Sequence, residues 1–124
     1  MLGLGGGVGS SLVGGGSEFW IATLGGSNEE RGHDIAIDSN ENIFVVGRTS
    51  SEGPGDKSGY IAKFDNLGTL DWQRTLGGTS QDQFYGVTIG SSDDVYVCGL
   101  TISEGPGSND TLMVKYNNSG TLQW

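Results

Sequence analysis

The chain has 124 residues, a length that predicts a single domain. Its 15 Asp and Glu residues outnumber 6 Lys and Arg residues, and the formal net charge of −9 argues against wrapping nucleic acid or lying on anionic lipid, because both need a basic face. The 24 glycines indicate a turn-rich β protein, and the single cysteine, Cys98, excludes an intramolecular disulfide.

Residues 1–17 form a glycine-rich tail in which apolar side chains are interspersed. A pure linker would consist of glycine and serine, whereas Leu2, Leu4, Leu12 and Val13 can dock into a groove while the glycines let the backbone conform. The tail is similar to the N-terminal segments of phage tail and fibre proteins, which implies that it anchors the chain to other virion proteins. Free in solution it is expected to be flexible. The alternative is a disordered leader.

Four short strand signals follow, with no helical periodicity. Residues 42–47 form a continuous apolar run of β-branched and aromatic residues, which is typical of a strand buried on both faces. Turn-forming residues separate the runs, and Gly68 is free to take a positive φ in a tight turn. The predicted strands are 34–38, 42–47, 60–64 and 69–76, and residues 18–24 match the fourth of them.

The same unit occurs twice with a period of 52 residues, marked by Trp20, Trp72 and Trp124 and by a Ser-Glu-Gly-Pro-Gly block at 51–55 and 103–107. Four antiparallel strands in about 50 residues is the size of one propeller blade. The sequence therefore predicts an all-β fold: two tandem four-stranded antiparallel blades of a β-propeller behind the glycine-rich tail. The predicted divisions are a tail (1–17), a leading outer strand plus the first blade (18–71), and a second blade truncated in its last strand (72–124).

Three sequence patterns resemble the SBBP-type bacterial β-propeller repeat. They are Trp-x-x-x-Leu-Gly-Gly from Trp20, Ile-Ala-Ile-Asp-x-x-x-Asn-Ile-Phe-Val-Val-Gly-x-Thr from Ile35, and Ile-Ala-Lys-Phe-Asp-x-x-Gly-Thr-Leu-x-Trp from Ile61. The resemblance covers residues 20–124 and implies the propeller fold. It transfers no catalytic residues, since the repeat family shares none. The second copy departs from the pattern around Gly90.

Two blades leave large apolar faces exposed, which soluble monomers rarely tolerate. The chain is therefore expected to aggregate or to form a closed oligomer, with three two-bladed chains making a six-bladed ring. The alternative is that the chain is a fragment of a longer protein with further blades. Within the blades, burial is expected for Ile43, Val45, Val95 and Val97, and Trp72 is expected to pack against the next blade from an outer strand.

Few residues suggest a metal or ligand site. Asp38, Asn40 and Asn42 resemble the opening of a calcium loop, but a hairpin turn explains the same residues. Glu52 and Glu104 lie on equivalent loops, where they could bind a metal or ligand or could simply reflect duplication of a turn.

The sequence does not predict a zinc site or a catalytic nucleophile. His33 is the only histidine, so neither a zinc site nor a histidine-based triad can be assembled. Cys98 is expected to be a small buried apolar residue, with a reactive thiol as the alternative. No Lys or Arg precedes Arg31, so a secretory signal is not predicted, and no apolar stretch reaches the roughly 20 residues of a membrane span.

The sequence therefore predicts a non-enzymatic protein with no catalytic, cofactor-binding or metal-binding residues. The predicted function is that of a structural or binding component of a virus particle, such as a phage tail, fibre or surface protein involved in host attachment. Its predicted partners are other virion proteins through residues 1–17, further copies or blades, and a host-surface glycan. One alternative is a lectin or adhesion propeller at the bacterial cell surface or outside the cell, with sugars stacked on the tryptophans. Another is a fragment of a larger propeller enzyme.

Overall fold

The computed structural model describes residues 7–12, 20–53 and 56–124, with side chains from residue 21 onward. These residues contain strands and turns but no helix, and so no helix that could cross a membrane. The strands are β1 (Gly7–Leu12), β2 (Trp20–Gly25), β3 (Glu30–Ile37), β4 (Ile43–Thr49), β5 (Ser58–Phe64), β6 (Leu70–Leu76), β7 (Asp82–Ile89), β8 (Val95–Thr101) and β9 (Asp110–Tyr116).

The first blade is the antiparallel sheet β3-β4-β5-β6, in which each strand pairs with the next along the chain. Short connections suffice because antiparallel neighbours need only a turn. The turn between β5 and β6 contains Gly68 at φ 83°, as the sequence predicted. Side chains alternate between the two faces of a strand, and β4 is apolar on both, with Phe44 and Val46 on one face and Ile43 and Val45 on the other.

The second blade is the sheet β7-β8-β9, followed by the start of a fourth strand. An antiparallel bridge joins Tyr116 to Leu122. The Gln123 amide donates to the Lys115 carbonyl at 2.7 Å, and the Lys115 amide donates to the Trp124 carbonyl at 2.8 Å. The remainder of the β9 edge faces no fourth strand among the described residues.

Residues 7–12 of the tail form a β-strand that pairs with the strand after the tail. β1 pairs with β2 antiparallel, from Gly7 opposite Gly25 to Leu12 opposite Trp20. The expectation that the whole tail is flexible on its own is therefore wrong for residues 7–12, because β2 offers them an unpaired strand edge. Of the predicted anchoring residues, Leu2, Leu4 and Val13 lie outside the described residues, and only the backbone of Leu12 is described.

One apolar core joins the two blades. The first blade contributes Phe44, Val46, Ile61 and Trp72; the second contributes Phe84, Val95, Val97, Val114 and Tyr116. The expected burial of Val95 and Val97 is confirmed, as is the packing of Trp72 from an outer strand against the second blade. The expectation for Ile43 and Val45 is wrong, because both lie on the face of the first blade that points away from the second and are only half-buried.

Gly59 and Phe84 make the closest steric contact between the blades. A Cβ added at Gly59 would lie 2.8 Å from the Phe84 ring, which is closer than real Cβ atoms come to other atoms. The absence of a side chain at Gly59 therefore lets the fully buried Phe84 ring pack directly against β5.

Replacing Gly59 with Ala should weaken the contact between the blades. We expect Gly59→Ala to lower the free energy of unfolding by about 1–3 kcal/mol, because overpacking forces neighbouring groups to move. Gly32 is the matched control, since a Cβ there would find its nearest atom 3.7 Å away. Gly32→Ala should change stability by less than about 0.5 kcal/mol. Urea unfolding of the two variants measures the difference, and equal effects would contradict the packing argument.

Candidate binding surfaces

Asn118 fastens the second blade to the first at one end of the sheets. Its amide group donates to Asp38 Oδ2 and to the Asp93 carbonyl, each at 3.0 Å. Lys63 Nζ donates to Asn118 Oδ1 at 2.6 Å, and the Trp72 indole donates to the Asn118 carbonyl at 3.1 Å. The three bonds to Asp38, Lys63 and Trp72 cross between the blades and fix how they meet, because each bond has a narrow range of distance and angle.

Asp38 is the acceptor at the centre of the first hairpin turn. Its Oδ1 accepts the Asn40 and Asn42 amides, and its Oδ2 accepts the Asn42 and Asn118 side chains. Burial raises the pKa of Asp38, but these hydrogen bonds outweigh that effect and hold it below its ordinary value. Asp38 thus closes the hairpin turn 38–42, as the hairpin interpretation of these residues predicted. It also joins the two blades through Asn118.

An acidic side chain closes the opposite end of each blade. Glu30 Oε2 accepts the Gly26 amide and its Oε1 accepts the Thr49 hydroxyl, both at 2.9 Å. Asp82 occupies the equivalent position in the second blade, where its Oδ2 accepts the Gly78 amide at 2.8 Å. We call each arrangement a carboxylate latch, since it ties the loop that enters the blade to the end of the second strand.

The Asp82 latch is the more buried of the two. Asp82 also accepts the Ser103 hydroxyl at 2.7 Å and is only 1% exposed. Burial raises its pKa, yet the bonds from Thr101, Ser103 and Gly78 bring the pKa below the ordinary 3.8. Sequence comparison of the two units missed these latches because Glu30 and Asp82 are not identical, although both are acidic at the same repeat position.

One open surface lies on the side of the first blade that faces away from the second. We call it the leading face and define it by Ile35, Ile37, Ile43, Val45 and Phe64, of which Phe64 alone is buried. Ile35 is 60% exposed and Ile37 is 62% exposed. A cavity of about 310 Å³ separates this face from the β1–β2 hairpin, which contributes Ala22 and Leu24 to the lining.

The other open surface lies on the far side of the second blade. We call it the trailing face and define it by Tyr96, Cys98, Met113 and Trp124. Met113 is 64% exposed and Trp124 is 58% exposed. A shallow groove of about 390 Å³ runs across the face, and Gly86 forms part of its lining.

The structure places the remaining candidate residues apart from one another. Cys98 is exposed, so the expectation of a buried cysteine is wrong: it lies on the uncovered trailing face. The His33 and Tyr85 rings meet edge to face, with their centroids 4.9 Å apart. Burial of His33 and the positive charges of Arg48 and Arg31 lower its pKa. Among the residues with described side chains, no three His, Cys, Asp or Glu residues form a group that could hold a metal ion.

The repeated Ser-Glu-Gly-Pro-Gly loops share a backbone geometry where both are described. The Thr49 and Thr101 hydroxyls accept the amides of Glu52 and Glu104 at 3.3 and 3.1 Å. The glycine after each glutamate has a positive φ, 103° in the first loop and 92° in the second. The loop conformation is therefore fixed by a threonine cap and a glycine, without use of either glutamate side chain.

Comparison with known proteins identifies the repeat. Residues 20–54, from β2 through the loop after β4, match the family model SBBP, a beta-propeller repeat. A search of curated proteins finds no significant match to the chain. Together with the two consecutive antiparallel sheets, the family match establishes an all-β fold of propeller blades.

Asp82 should make stability depend on pH. Because the pKa of Asp82 is lower in the folded chain, its stabilising effect is complete above the unfolded value near 4 and is lost as the pH falls through the folded value. Asp82→Asn should cost about 1–3 kcal/mol at pH 7, since an amide replaces an accepting oxygen. The difference from the unaltered chain should shrink below about pH 4. Glu104→Gln, at an exposed position, is the control and should change little. A cost for Asp82→Asn that stays constant down to pH 2 would contradict the latch.

Proposed function

We propose that the chain is a non-enzymatic structural or binding component that acts through the exposed faces of its propeller blades. The observation that carries this proposal is the pair of open apolar faces, one at each end of the two-blade stack. Soluble proteins rarely leave such patches uncovered unless another molecule binds there. The family match supports the same coarse function, since propeller repeats form stacked binding or structural domains.

The more specific form of the proposal is a component of a virus particle, held there by residues 1–17. It is supported by the apolar residues of the tail, including Leu2 and Leu4. The pairing of β1 with β2 adds a constraint, because residues 7–12 of the tail are joined to a strand whose Ala22 and Leu24 line a cavity with the first blade. In this form of the proposal, the chain is located in the virion and contacts other virion proteins through residues 1–17.

Measurement of the assembly in the native source tests the proposed function. We expect the chain to be recovered in an assembly several times heavier than 12.9 kDa and to co-purify with virus particles at a fixed stoichiometry. Recovery as a free 12.9 kDa species would contradict a structural role. A large assembly without virus particles would contradict the virion form alone, and a single longer polypeptide with enzymatic activity would favour the fragment of a propeller enzyme.

Sugar binding is a second candidate, favoured by one pair of aromatic residues. Tyr96 and Trp124 are both solvent-accessible, and their ring centroids lie 6.5 Å apart on the trailing face. Amphipathic aromatic rings are suited to contact a ligand that is apolar on one side and wet on the other, as a sugar ring is.

Titration with a panel of methyl glycosides tests the second candidate. If sugars stack on this pair, at least one glycoside should shift the tryptophan fluorescence saturably, and Trp124→Ala should abolish the shift. Leu122→Ala is the matched control, because Leu122 is 48% exposed on the same segment but has no ring. Absence of a saturable shift across the panel, or its persistence in Trp124→Ala, would contradict sugar binding at this pair.

A further inference from the structure

Three charged residues meet at the end of the first blade that carries the Glu30 latch. Arg31 Nε and Arg48 Nη2 both donate to one oxygen atom, Oε1 of Glu29, the second of these bonds at 3.1 Å. We call Glu29, Arg31 and Arg48 the arginine cluster. Two positive charges share one negative charge, so the cluster has an excess of positive charge in a chain whose formal net charge is −9.

The strand register makes the arginine cluster unfavourable for folding. Arg31 of β3 lies directly opposite Arg48 of β4 in the antiparallel ladder. Directly opposite residues project to the same face of a sheet, and like charges at such a pair destabilise it. Arg48 is also only 9% exposed, so its charged group has lost most of its contact with water.

The second blade shows that the fold does not need this cluster. One repeat later, the equivalent residues are Gln81, Gln83 and Leu100, none of which is charged. Gln83 and Leu100 are nevertheless paired across their strands in the same way as the two arginines. A group of residues that opposes folding, and that the same fold can omit, is typical of a functional site.

The protein itself compensates the Arg48 charge only in part. Arg48 Nε is buried and has no hydrogen-bond partner among the described residues, although buried donors are normally paired. A guanidinium group offers five donors in a planar fork that matches the two oxygens of a carboxylate. Glu29 uses one oxygen for both arginines, whereas a ligand carboxylate can give each arginine an oxygen of its own.

The acidic side chains next to the cluster in β3 are engaged in bonds within the fold. Glu30 accepts the Gly26 amide and the Thr49 hydroxyl in its latch. Asp34 accepts the amides of Ile35 and Val87, each at 2.9 Å.

Glu29 is different, because it lies at the surface. The side chains of Glu29 and Arg31 are 50% and 60% exposed. An ion pair between exposed side chains contributes little to stability. A carboxylate from solution can therefore take the place of Glu29 without disturbing the blade.

Two rings lie beside the excess positive charge. The His33 and Tyr85 rings meet edge to face across the two blades, and Tyr85 is 46% exposed. Burial of His33, together with the charges of Arg48 and Arg31, lowers the pKa of its imidazole, so the arginines are close enough to act on this ring. A carboxylate that is carried on a sugar ring can contact the arginines and the ring pair together.

From these observations we propose that the arginine cluster binds the carboxylate of an acidic sugar, which displaces Glu29 and places its ring against His33 and Tyr85. The binding is non-covalent. The inference goes beyond the proposed function, because the site uses neither of the open apolar faces. It is also separate from the Tyr96–Trp124 pair on the trailing face.

Titration of the complete chain with methyl glucuronide, at constant ionic strength, tests the proposal by NMR. The chain has three arginines and one histidine, so their Nε–H and ring signals can be followed individually. The signals of Arg31, Arg48 and His33 should shift saturably with one dissociation constant. Arg74 is the internal control, because its Nε donates to the Gly120 carbonyl at 3.0 Å, and its signal should not move.

Three further probes identify the ligand group that is recognised. Methyl glucoside has a hydroxymethyl group in place of the carboxylate and should cause no shift. Acetate has the carboxylate without the ring and should bind more weakly than the glucuronide. Inorganic phosphate should also bind more weakly, because the planar fork of a guanidinium matches a planar carboxylate and the ring contacts are absent.

Substitutions in the cluster should change the affinity in opposite directions. Arg31→Gln should weaken glucuronide binding at least about threefold, and Arg48→Leu about tenfold or more. Both introduce the residue that the second blade has. Glu29→Gln should tighten binding about threefold, because the internal competitor loses its charge. Glu104→Gln removes the same charge from an exposed loop and should leave the affinity unchanged.

The proposal is wrong if the glucuronide causes no saturable shift, if the glucoside causes the same shift, or if acetate or phosphate binds as tightly as the glucuronide. It is equally wrong if Glu29→Gln weakens binding or if Arg31→Gln leaves it unchanged. Arg31 is exposed, so Arg31→Gln decides the result even where Arg48→Leu fails to fold. None of these outcomes concerns the open apolar faces, so the proposed function stands or falls by its own experiment.

Discussion

Every feature of this molecule depends on one constraint: its repeating sheet is apolar on both faces. β4 shows the reason, because Phe44 and Val46 point to one side while Ile43 and Val45 point to the other. A sheet of this kind needs a neighbour on each side to remove both faces from water, and burial of apolar area is the largest favourable term in folding. Within the chain, the contact between the blades covers one face of each, and on the other two faces Ile35, Ile37 and Met113 are at least 60% exposed.

Polar residues determine the geometry of a contact that apolar packing alone would leave loose. At one end of the blades, Asn118 is hydrogen-bonded across the contact to Asp38, Lys63 and Trp72. Each hydrogen bond adds only about 0.5–1.5 kcal/mol net, but leaving its buried partner unmade costs more. Alternative stackings that break these bonds are therefore penalised, and the bonds select one rotation between blades out of the many that apolar contact would accept.

The sequence predicted the repeated unit and its strands well, because strand alternation and turn chemistry are local. Gly68 took the positive φ that its turn required, and the 52-residue period located both blades. The errors concern which face is covered. Val45 and Cys98 each lie in an apolar strand, and whether such a residue is buried depends on a neighbouring blade and not on its own strand. The β1 strand was missed for a related reason, since its glycines have low strand propensity and its pairing depends on the edge of β2.

The trailing face differs in polarity from the equivalent side of the first blade, which the second blade covers. The permanently covered side of the first blade uses Phe44, Val46 and Ile61, which have no polar atoms in their side chains. The trailing face has a tyrosine, a cysteine and a methionine at the same positions. These residues tolerate water better, and methionine adapts its shape to a partner. The trailing face is therefore more compatible with exposure to water than the equivalent buried side of the first blade, as the exposure of Met113 and Trp124 shows.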